Sequence, residues 1–552
     1  MATTTIPLPP EATLSLYNNT VCHDTGQYFC HSRPFALPRT GNRVSLLACG
    51  KEAFQQIHDA MLGAESFIWI ADWQMACDVE LTSRGVKDNP GRLHNVIRYI
   101  ISTKKVHIRI LLYKSIIDSI PGTYDGMVAK RLNALNTKCY PGSVHVILQP
   151  PTCDQIDSHE YSHHQKFVVV DGHIGFLGGI DLSYGRWETP EFDVVVDPER
   201  FVINDMYSPG QTKMRPATTV EKHKIEQYGF AAPYHDRLID EGCQPRMPWQ
   251  DVHIKIAGPS VVDIHRNFVR RWNSRLVQMT KMTMFAPPMA VVLALAAYER
   301  YELRGLLISK QWLETIGGWA KLSSAQARKG GGAQVQIVRS VSTKHLEMEG
   351  QKPEDLLLYP DARERAMWET CLKGWDDTHQ SNILNAMVNC IRSADNYIYI
   401  ETQFFISRFG DVGRIRAKEA GNGDDGVQNA VVAELAKRID QHIRSSVPGS
   451  FHVYLVLPTH PEGLLNDDSV WKQHWLALST IKHGSDSLIN RIKRSLVAKK
   501  RDPEEWVQYL TVLNMRNYGA TVMYARDPVT FDEDFSREIG RYVVTEHPSS
   551  TV

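Results

Sequence analysis

The chain has 552 residues, which is more than one hydrophobic core usually serves, so two or more domains are expected. Lysine plus arginine number 62, the same as aspartate plus glutamate, and the hydrophobic content of 43% is ordinary for a soluble globular protein. This balance gives no global positive charge of the kind that attracts nucleic acid or an anionic membrane surface.

The nine cysteines are scattered without a C-x-x-C pair, which favours neither a disulfide framework nor a zinc site. The first 15 residues lack the basic and apolar blocks of a signal peptide. The most apolar stretch, Met289 to Tyr298, is too short to span a bilayer. We therefore expect reduced thiols and an intracellular location, cytoplasmic or peripheral to a membrane.

Residues 1–40 are rich in Thr, Pro and Gly without clear periodicity, and they are predicted to form an N-terminal arm. Beyond it, helix-like and strand-like patterns alternate. The helical patterns cover Ala53 to Leu62 and Leu93 to Ile101, and the strand-like runs cover Ser66 to Ile70, Val106 to Tyr113 and Ser143 to Leu148. This alternation predicts an α/β fold with mixed, largely parallel sheets and helices on both faces.

A segment near the middle of the chain repeats one near its beginning. The run from Ala394 to Ile400 matches the run from Ala64 to Ile70, and Phe451 to Leu457 then corresponds to the Val106 strand. This repeat predicts two similar α/β halves, the first at 41–328 and the second at 335–552. A glycine-rich linker at 329–334 would join them.

The most informative stretch runs from His163 to Asp193. Within it, the apolar run Phe167 to Val170 ends at Asp171-Gly172 and predicts a short buried strand that closes in a tight turn. Because side chains alternate faces along a strand, His164 and Lys166 point the same way. An imidazole beside an ammonium suits an anionic tetrahedral group such as phosphate.

A second apolar run, Ile174 to Leu177, leads into Gly178-Gly179, where backbone can approach a ligand closely, and then to Asp181. The complete pattern, H-x-K-x4-D followed by G-G-x-D, resembles the signature of the phospholipase D superfamily. The longer run through G-R-W-E-T resembles its eukaryotic branch. A surface histidine and lysine before a core strand would explain H-x-K alone, which recurs from His253 to Lys255, but not the whole pattern.

The resemblance implies a two-half phosphodiesterase in which three residues of the first motif have catalytic roles. His164 would be the nucleophile and form a phosphohistidine. Lys166 would bind a non-bridging phosphate oxygen and stabilise charge in the transition state. Asp171 would help to hold the motif and orient a histidine.

The resemblance also implies substrate-binding residues. Gly178, Gly179 and Asp181 would shape the wall beside the phosphate, with backbone N–H groups contributing part of the binding. The segment from Tyr399 to Phe405 resembles a family segment whose polar residues line the pocket, so Glu401 and Gln403 are predicted to bind substrate. A structural salt bridge is the alternative for Glu401, a charge at the end of a strand predicted to be buried.

A further family-like segment contains Asp251 and His253, which we interpret as local scaffold rather than as catalytic residues. A complete member of the superfamily also carries a second H-x-K-x4-D. Here Arg541 to Glu546 resembles the approach to that motif, but the sequence continues to Val552 without an H-x-K.

Two interpretations of this difference remain open. The sequence is a fragment of a complete enzyme, or it is a divergent relative that binds phospholipid or phosphate without turnover. The resemblance implies that the second histidine is the general acid, so this chain alone is expected to be nearly inactive if the sequence is complete.

The implied substrate is a glycerophospholipid of the phosphatidylcholine class, cleaved at a membrane surface to phosphatidic acid and the free head group. No cofactor and no metal are expected, since a lysine and backbone donors can supply the positive charge. No nucleic-acid partner is expected either, because the charge balance and the eukaryote-like segments weigh against a nuclease of the same superfamily.

Overall fold

The protein is described by a computed structural model, which covers residues 34–82, 90–114, 125–149, 163–192, 214–216, 237–239, 248–282, 305–326, 332–342, 345–346, 380–412, 429–445, 451–458 and 468–515, with single positions 29, 349 and 427. Four segments discussed from the sequence lie wholly or mostly outside these residues: the N-terminal arm before residue 34, Met289 to Tyr298, positions 329–331 of the linker, and Arg541 to Glu546.

The first half is built on an eight-stranded sheet with the order β10-β1-β9-β6-β5-β2-β3-β4. Its strands are β1 (Arg39–Leu47), β2 (Phe67–Asp72), β3 (His107–Tyr113), β4 (Ser143–Gln149), β5 (Phe167–Val170), β6 (Ile174–Gly178), β9 (His253–Ala257) and β10 (Ala333–Val335). Strands β7 (Met214–Pro216) and β8 (Arg237–Ile239) form a separate ribbon.

The prediction of an α/β fold with a mixed sheet is confirmed, and the parallel part is smaller than expected. β2, β3 and β4 run parallel to one another, while the other neighbouring strands of this sheet pair antiparallel. The reason is local. A turn at Asp171 and Gly172 joins β5 directly to β6, and so short a connection can only join antiparallel strands.

Helices cover both faces of the sheet. One face carries α1 (Gly50–Leu62), α2 (Leu93–Thr103) and α3 (Asp125–Asn133), and the other carries α4 (Val261–Met282), α5 (Lys310–Thr315) and α6 (Gly318–Gln326). β2 shows why both helix layers are needed. Ile68 and Ile70 pack into the core beneath α1–α3, whereas Phe67 and Trp69 pack into the core beneath α4–α6. Among the described helices, none is both long and apolar enough to cross a membrane.

The second half contains a parallel sheet of β13 (Tyr397–Glu401), β14 (His452–Pro458) and β15 (Leu510–Met515), which repeats the β2-β3-β4 arrangement. The helices are α7 (Asn382–Ser393), α8 (Val431–Ser445), α9 (Asp468–Leu478) and α10 (Leu488–Ala498), with a π turn at Ser479–His483, a 3₁₀ helix at Pro503–Gln508, and the short strands β11 (Ser340–Val341) and β12 (Gln380–Ser381).

The expectation that the repeated strand would be buried is wrong. Tyr397 and Tyr399 of β13 are 65% and 55% exposed, because α8 and α10 pack on the other face of this sheet. A charge at the end of this strand therefore does not by itself demand a partner.

Two segments depart from the predicted domain limits. Phe35 and Ala36 are buried in the first half, and β1 begins at Arg39, so ordered packing starts before residue 41. At the linker, β10 pairs antiparallel with β1, so residue 335, the predicted start of the second half, still belongs to the first-half sheet.

Candidate active site

The antiparallel registers of β2, β5, β6 and β9 bring the predicted motif residues together at one end of these four strands. Ala71 of β2 pairs with Phe167 of β5, so the end of β2 lies beside the residues that precede β5. Gly178 at the end of β6 pairs with His253 at the start of β9. Residues 72–74, 164–166, 178–181 and 251–253 therefore meet at this end.

His164 lies at the surface at this end of the strands, with its ring centroid 5.1 Å from that of Trp73. Desolvation by the surrounding protein, followed by the charge of Lys166, lowers the pKa of His164 to about 4. The imidazole is therefore neutral at pH 7, which is the form that has a lone pair for attack at phosphorus.

Lys166 points to the same side of the strand as His164 and is buried. Its Nζ lies 3.2 Å from Asp181 Oδ1 and 5.5 Å from the centroid of the Trp73 ring. Arg186 approaches the other oxygen of Asp181, with Nη2 3.2 Å from Oδ2, and its guanidinium lies 3.7 Å over the Trp249 ring. One carboxylate thus holds two cations beneath His164.

A second carboxyl, Asp72, is hydrogen-bonded to Asp181 and accepts a hydrogen bond from the Leu182 backbone N–H at 2.9 Å. Burial, and then the negative charge of Asp181, raise the pKa of Asp72 well above its ordinary value. Burial also acts to raise the pKa of Asp181, but the charges of Lys166 and Arg186 outweigh it and lower that pKa. The two pKa values are therefore shifted in opposite directions, up for Asp72 and down for Asp181.

The two glycines allow backbone and side chains to pack closely. A Cβ on Gly179 would lie 1.8 Å from Asp251 Oδ1, and a Cβ on Gly178 would lie 2.3 Å from the Val252 carbonyl oxygen. Their N–H groups donate to Lys166 O and Val252 O, at 3.3 and 3.0 Å. Both N–H groups therefore connect neighbouring segments, and the role of Gly178, Gly179 and Asp181 in substrate binding stays a prediction.

Asp171 lies at the opposite end of β5 from His164. Its carboxylate accepts hydrogen bonds from the backbone N–H groups of Glu65, Ser66 and Phe67 at 2.8–2.9 Å, and Lys321 Nζ lies 3.6 Å away. It therefore holds the start of β2 against the end of β5. Among the described residues its contacts are with these backbone N–H groups and with Lys321, and a part in orienting a histidine stays a prediction.

Gln165, between His164 and Lys166, contacts the helix layer through its side chain. Gln165 Oε1 accepts hydrogen bonds from Asn267 Nδ2 at 2.9 Å and from Arg271 Nη1 at 2.6 Å, both on α4. Arg271 is buried and also donates to Gln149. This contact restrains the backbone from which His164 and Lys166 project.

Glu401 is exposed at the end of β13, and its Oε2 accepts a hydrogen bond from the Tyr399 hydroxyl at 2.8 Å. Gln403 is exposed two residues later. The structure joins Glu401 to its own strand, and the role of both residues in substrate binding stays a prediction.

Three site residues were missed by sequence reasoning: Asp72, Trp73 and Arg186. Asp72 had a usable signal, because a charge ends an otherwise apolar buried strand. Arg186 stands in the quoted motif run, but its partner could be identified only from the fold. His253 is buried beside Gly178, in agreement with its interpretation as scaffold.

The arrangement can bind a phosphate-like oxyanion beside a neutral imidazole. His164 is accessible, and Lys166 supplies positive charge within the same small region. The Asp181 carboxylate forms an ion pair with the buried lysine, and Asp72 and Arg186 in turn contact Asp181. Such preorganised charge stabilises a transition state without reorganisation during the reaction.

The family model described as phospholipase D matches residues 60–534 of this chain. The match covers most of the sequence and includes the site above, and the chain belongs to the phospholipase D family.

Individual relatives agree with this assignment. The chain is 25% identical over 505 residues to phospholipase D2 of Bos taurus, covering 88% of this chain and 45% of that protein. It is 29% identical over 485 residues to phospholipase D1 of Saccharomyces cerevisiae, covering 87% and 24%. The chain thus spans less than half the length of these curated relatives.

Among solved structures, the phosphatidylserine synthase of Haemophilus influenzae matches 86% of this chain and 73% of that one, at 10% identity and a TM-score of 0.36.

Proposed function

We propose that this chain is the catalytic part of a phospholipase D-type phosphodiesterase. Its substrate is a glycerophospholipid of the phosphatidylcholine class, and its products are phosphatidic acid and the free head group. His164 attacks phosphorus and forms a phosphohistidine, the bond to the head-group oxygen breaks, and water then attacks phosphorus and releases His164. The head group leaves as an alcohol after taking up a proton.

One observation carries this proposal: an accessible, neutral His164 stands beside the buried Lys166 ammonium, which Asp181 holds in place. A neutral imidazole is a nucleophile, and the ammonium attracts the phosphate oxygens. A surface histidine without function would not need a buried cation with two supporting carboxyl groups beneath it.

The proposal predicts that His164 can be tested apart from any general acid. A phosphatidyl ester of p-nitrophenol releases p-nitrophenolate without needing a proton, so the first step requires only the nucleophile and Lys166. Mixed with the full chain in vesicles, this ester should give a rapid burst of p-nitrophenolate. The modified His164 peptide should be recovered after alkaline quenching, because phosphohistidine is an acid-labile adduct.

His164→Asn should abolish the burst while leaving vesicle binding unchanged, and His474→Asn, which changes an exposed histidine of α9, should leave both unchanged. A burst that survives in His164→Asn would end the nucleophile assignment. Binding to the vesicles without any p-nitrophenolate release from the unmodified chain would instead favour a relative that binds phospholipid without turnover.

A further inference from the structure

A buried arginine that has no counter-ion among the described residues lies in the first half, away from the candidate active site. Arg109 is in β3, where it pairs in register with Trp69, and only 4% of its surface is exposed. Among the described residues no carboxylate forms an ion pair with it. Its Nη1 makes two long contacts, 3.4 Å to Ser143 Oγ and 3.5 Å to Ile108 O, and its Nε is buried without a hydrogen-bond partner.

Two tryptophans flank the Arg109 guanidinium. Its central carbon lies 5.2 Å from the ring centroid of Trp312 and 5.9 Å from that of Trp272. Trp272, on α4, is fully buried, and Trp312, on α5, is half-buried. Aromatic faces attract a cation, but they accept none of its N–H hydrogen bonds, so the guanidinium remains largely unsatisfied.

The next residues toward the edge strand β4 can all donate hydrogen bonds. His145 pairs with Arg109, and Ser143 pairs with His107 in the adjoining row. All three are half-buried, and the His107 ring lies 2.9 Å, through Nδ1, from Ser143 Oγ. Burial, and then the charge of Arg109, lower the pKa of His107 to about 4 and that of His145 to about 3. Each neutral ring still carries one N–H donor.

Among the described residues, these four combine a positive charge that has no counter-ion with several hydrogen-bond donors, and three of them are only half-buried beside the edge strand β4. Removing a charge from water without a partner is strongly unfavourable, so a stable fold usually supplies an opposite charge. We infer that Arg109, with His107, Ser143 and His145, forms a second binding site on this chain, for a small oxyanion of the phosphate type. The planar guanidinium fork matches two oxygens of such a group, and the hydroxyl and imidazole donors match the others.

This site shares no residue with the candidate active site. The His164 region lies beyond the carboxyl end of β2, after Asp72, whereas Arg109 pairs with Trp69 three positions earlier and faces the α4 layer. The inference is therefore independent of the proposed function. The oxyanion could be free phosphate or a phosphate monoester on a lipid, and the two sources are distinguished by experiment.

Equilibrium dialysis with ³²P-labelled inorganic phosphate, against chloride at matched ionic strength, tests the site. All proteins carry Lys166→Met, which removes the active-site ammonium. In this background phosphate should still bind, and adding Arg109→Gln should weaken binding about tenfold or more, as loss of a charge-assisted pair predicts. Adding Arg98→Gln, which changes an exposed arginine on α2, should have no effect. Vesicles containing phosphatidic acid, compared with phosphatidylcholine alone, test the lipid source.

If Arg109→Gln fails to fold, the titration of His107 and His145 in the Lys166→Met protein decides, because a bound dianion beside them should raise both pKa values. The inference is overturned if phosphate neither binds the Lys166→Met protein nor changes these two titrations. Equal phosphate binding with and without Arg109→Gln overturns it as well. Binding of free phosphate but no preference for phosphatidic acid assigns the site to soluble phosphate.

Discussion

The ammonium of Lys166 lies 3.2 Å from Asp181 Oδ1, and both side chains are buried. The same carboxylate pairs with Arg186 on its other oxygen. This one acidic group is therefore the ion-pair partner of two buried cations near His164.

We predict that Asp181→Asn lowers the free energy of unfolding by about 3 kcal/mol, because it leaves buried cations without their counter-charge. The burst of p-nitrophenolate should be smaller as well, since the Lys166 ammonium is no longer held in place. Denaturant unfolding gives the stability change. Asp395→Asn is the matched control: Asp395 pairs with Arg438 but is 85% exposed, so its loss should cost less than about 1 kcal/mol. Equal effects of the two substitutions would contradict the role of Asp181.

Two glycine substitutions should have opposite effects. Gly179→Ala should destabilise the protein by about 2 kcal/mol, because the new Cβ would overlap the Asp251 carboxylate and force it to move. Gly126→Ala, at an exposed position in α3 with nothing within 4 Å of the added Cβ, should stabilise it by up to about 0.5 kcal/mol through helix propensity. Thermal unfolding of both variants checks the signs. A neutral Gly179→Ala would show that the close packing is not required.

Two substitutions of Asp171 distinguish a role in stability from a role in the reaction. Asp171→Ala should destabilise the protein by about 3 kcal/mol, since three backbone N–H groups lose their acceptor. Asp171→Asn retains one oxygen and tolerates the positive φ of 50° at this position, so we expect a smaller loss. Where Asp171→Asn is folded, its p-nitrophenolate burst should match that of the unmodified chain. A folded variant without a burst would assign Asp171 a direct part in the chemistry.

The stability of the protein should fall in mild acid because of two buried histidines. Burial lowers the pKa of His253 to about 4 and that of His265 to about 3, so both rings stay neutral in the folded chain at pH values where the unfolded chain binds protons. This contribution to stability is therefore complete above about pH 6.5 and is lost as pH falls toward the folded values, by about 3 kcal/mol per histidine at pH 4.5. Denaturant midpoints at pH 7 and pH 4.5 measure this. An unchanged midpoint would contradict it.

Short-range pattern was sufficient for part of the fold. The run Phe167 to Val170 forms β5 with the predicted limits, because β-branched residues bounded by a turn have few alternatives. Alternation along the chain correctly placed His164 and Lys166 on one side. The repeat of the β2 strand also predicted β13 and its parallel neighbour.

The tertiary structure decided which side chains meet. Asp171 lies five residues after Lys166, yet it stands at the other end of β5, where its carboxylate accepts hydrogen bonds from backbone N–H groups. Asp72 and Asp181 are more than one hundred residues apart, yet their side chains are hydrogen-bonded to each other. Whether a strand face is covered is also a property of packing, as the exposed tyrosines of β13 illustrate.

The sequence by itself determined the family motif, the strand β5, and the placement of His164 and Lys166 just before that strand. These features depend on residues within a few positions of one another. Only the tertiary structure decided how the charge of Lys166 is compensated, that the glycine N–H groups are occupied, and that Arg109 is buried without a counter-ion among the described residues. These features depend on distances between segments far apart in the chain, which register and helix packing set.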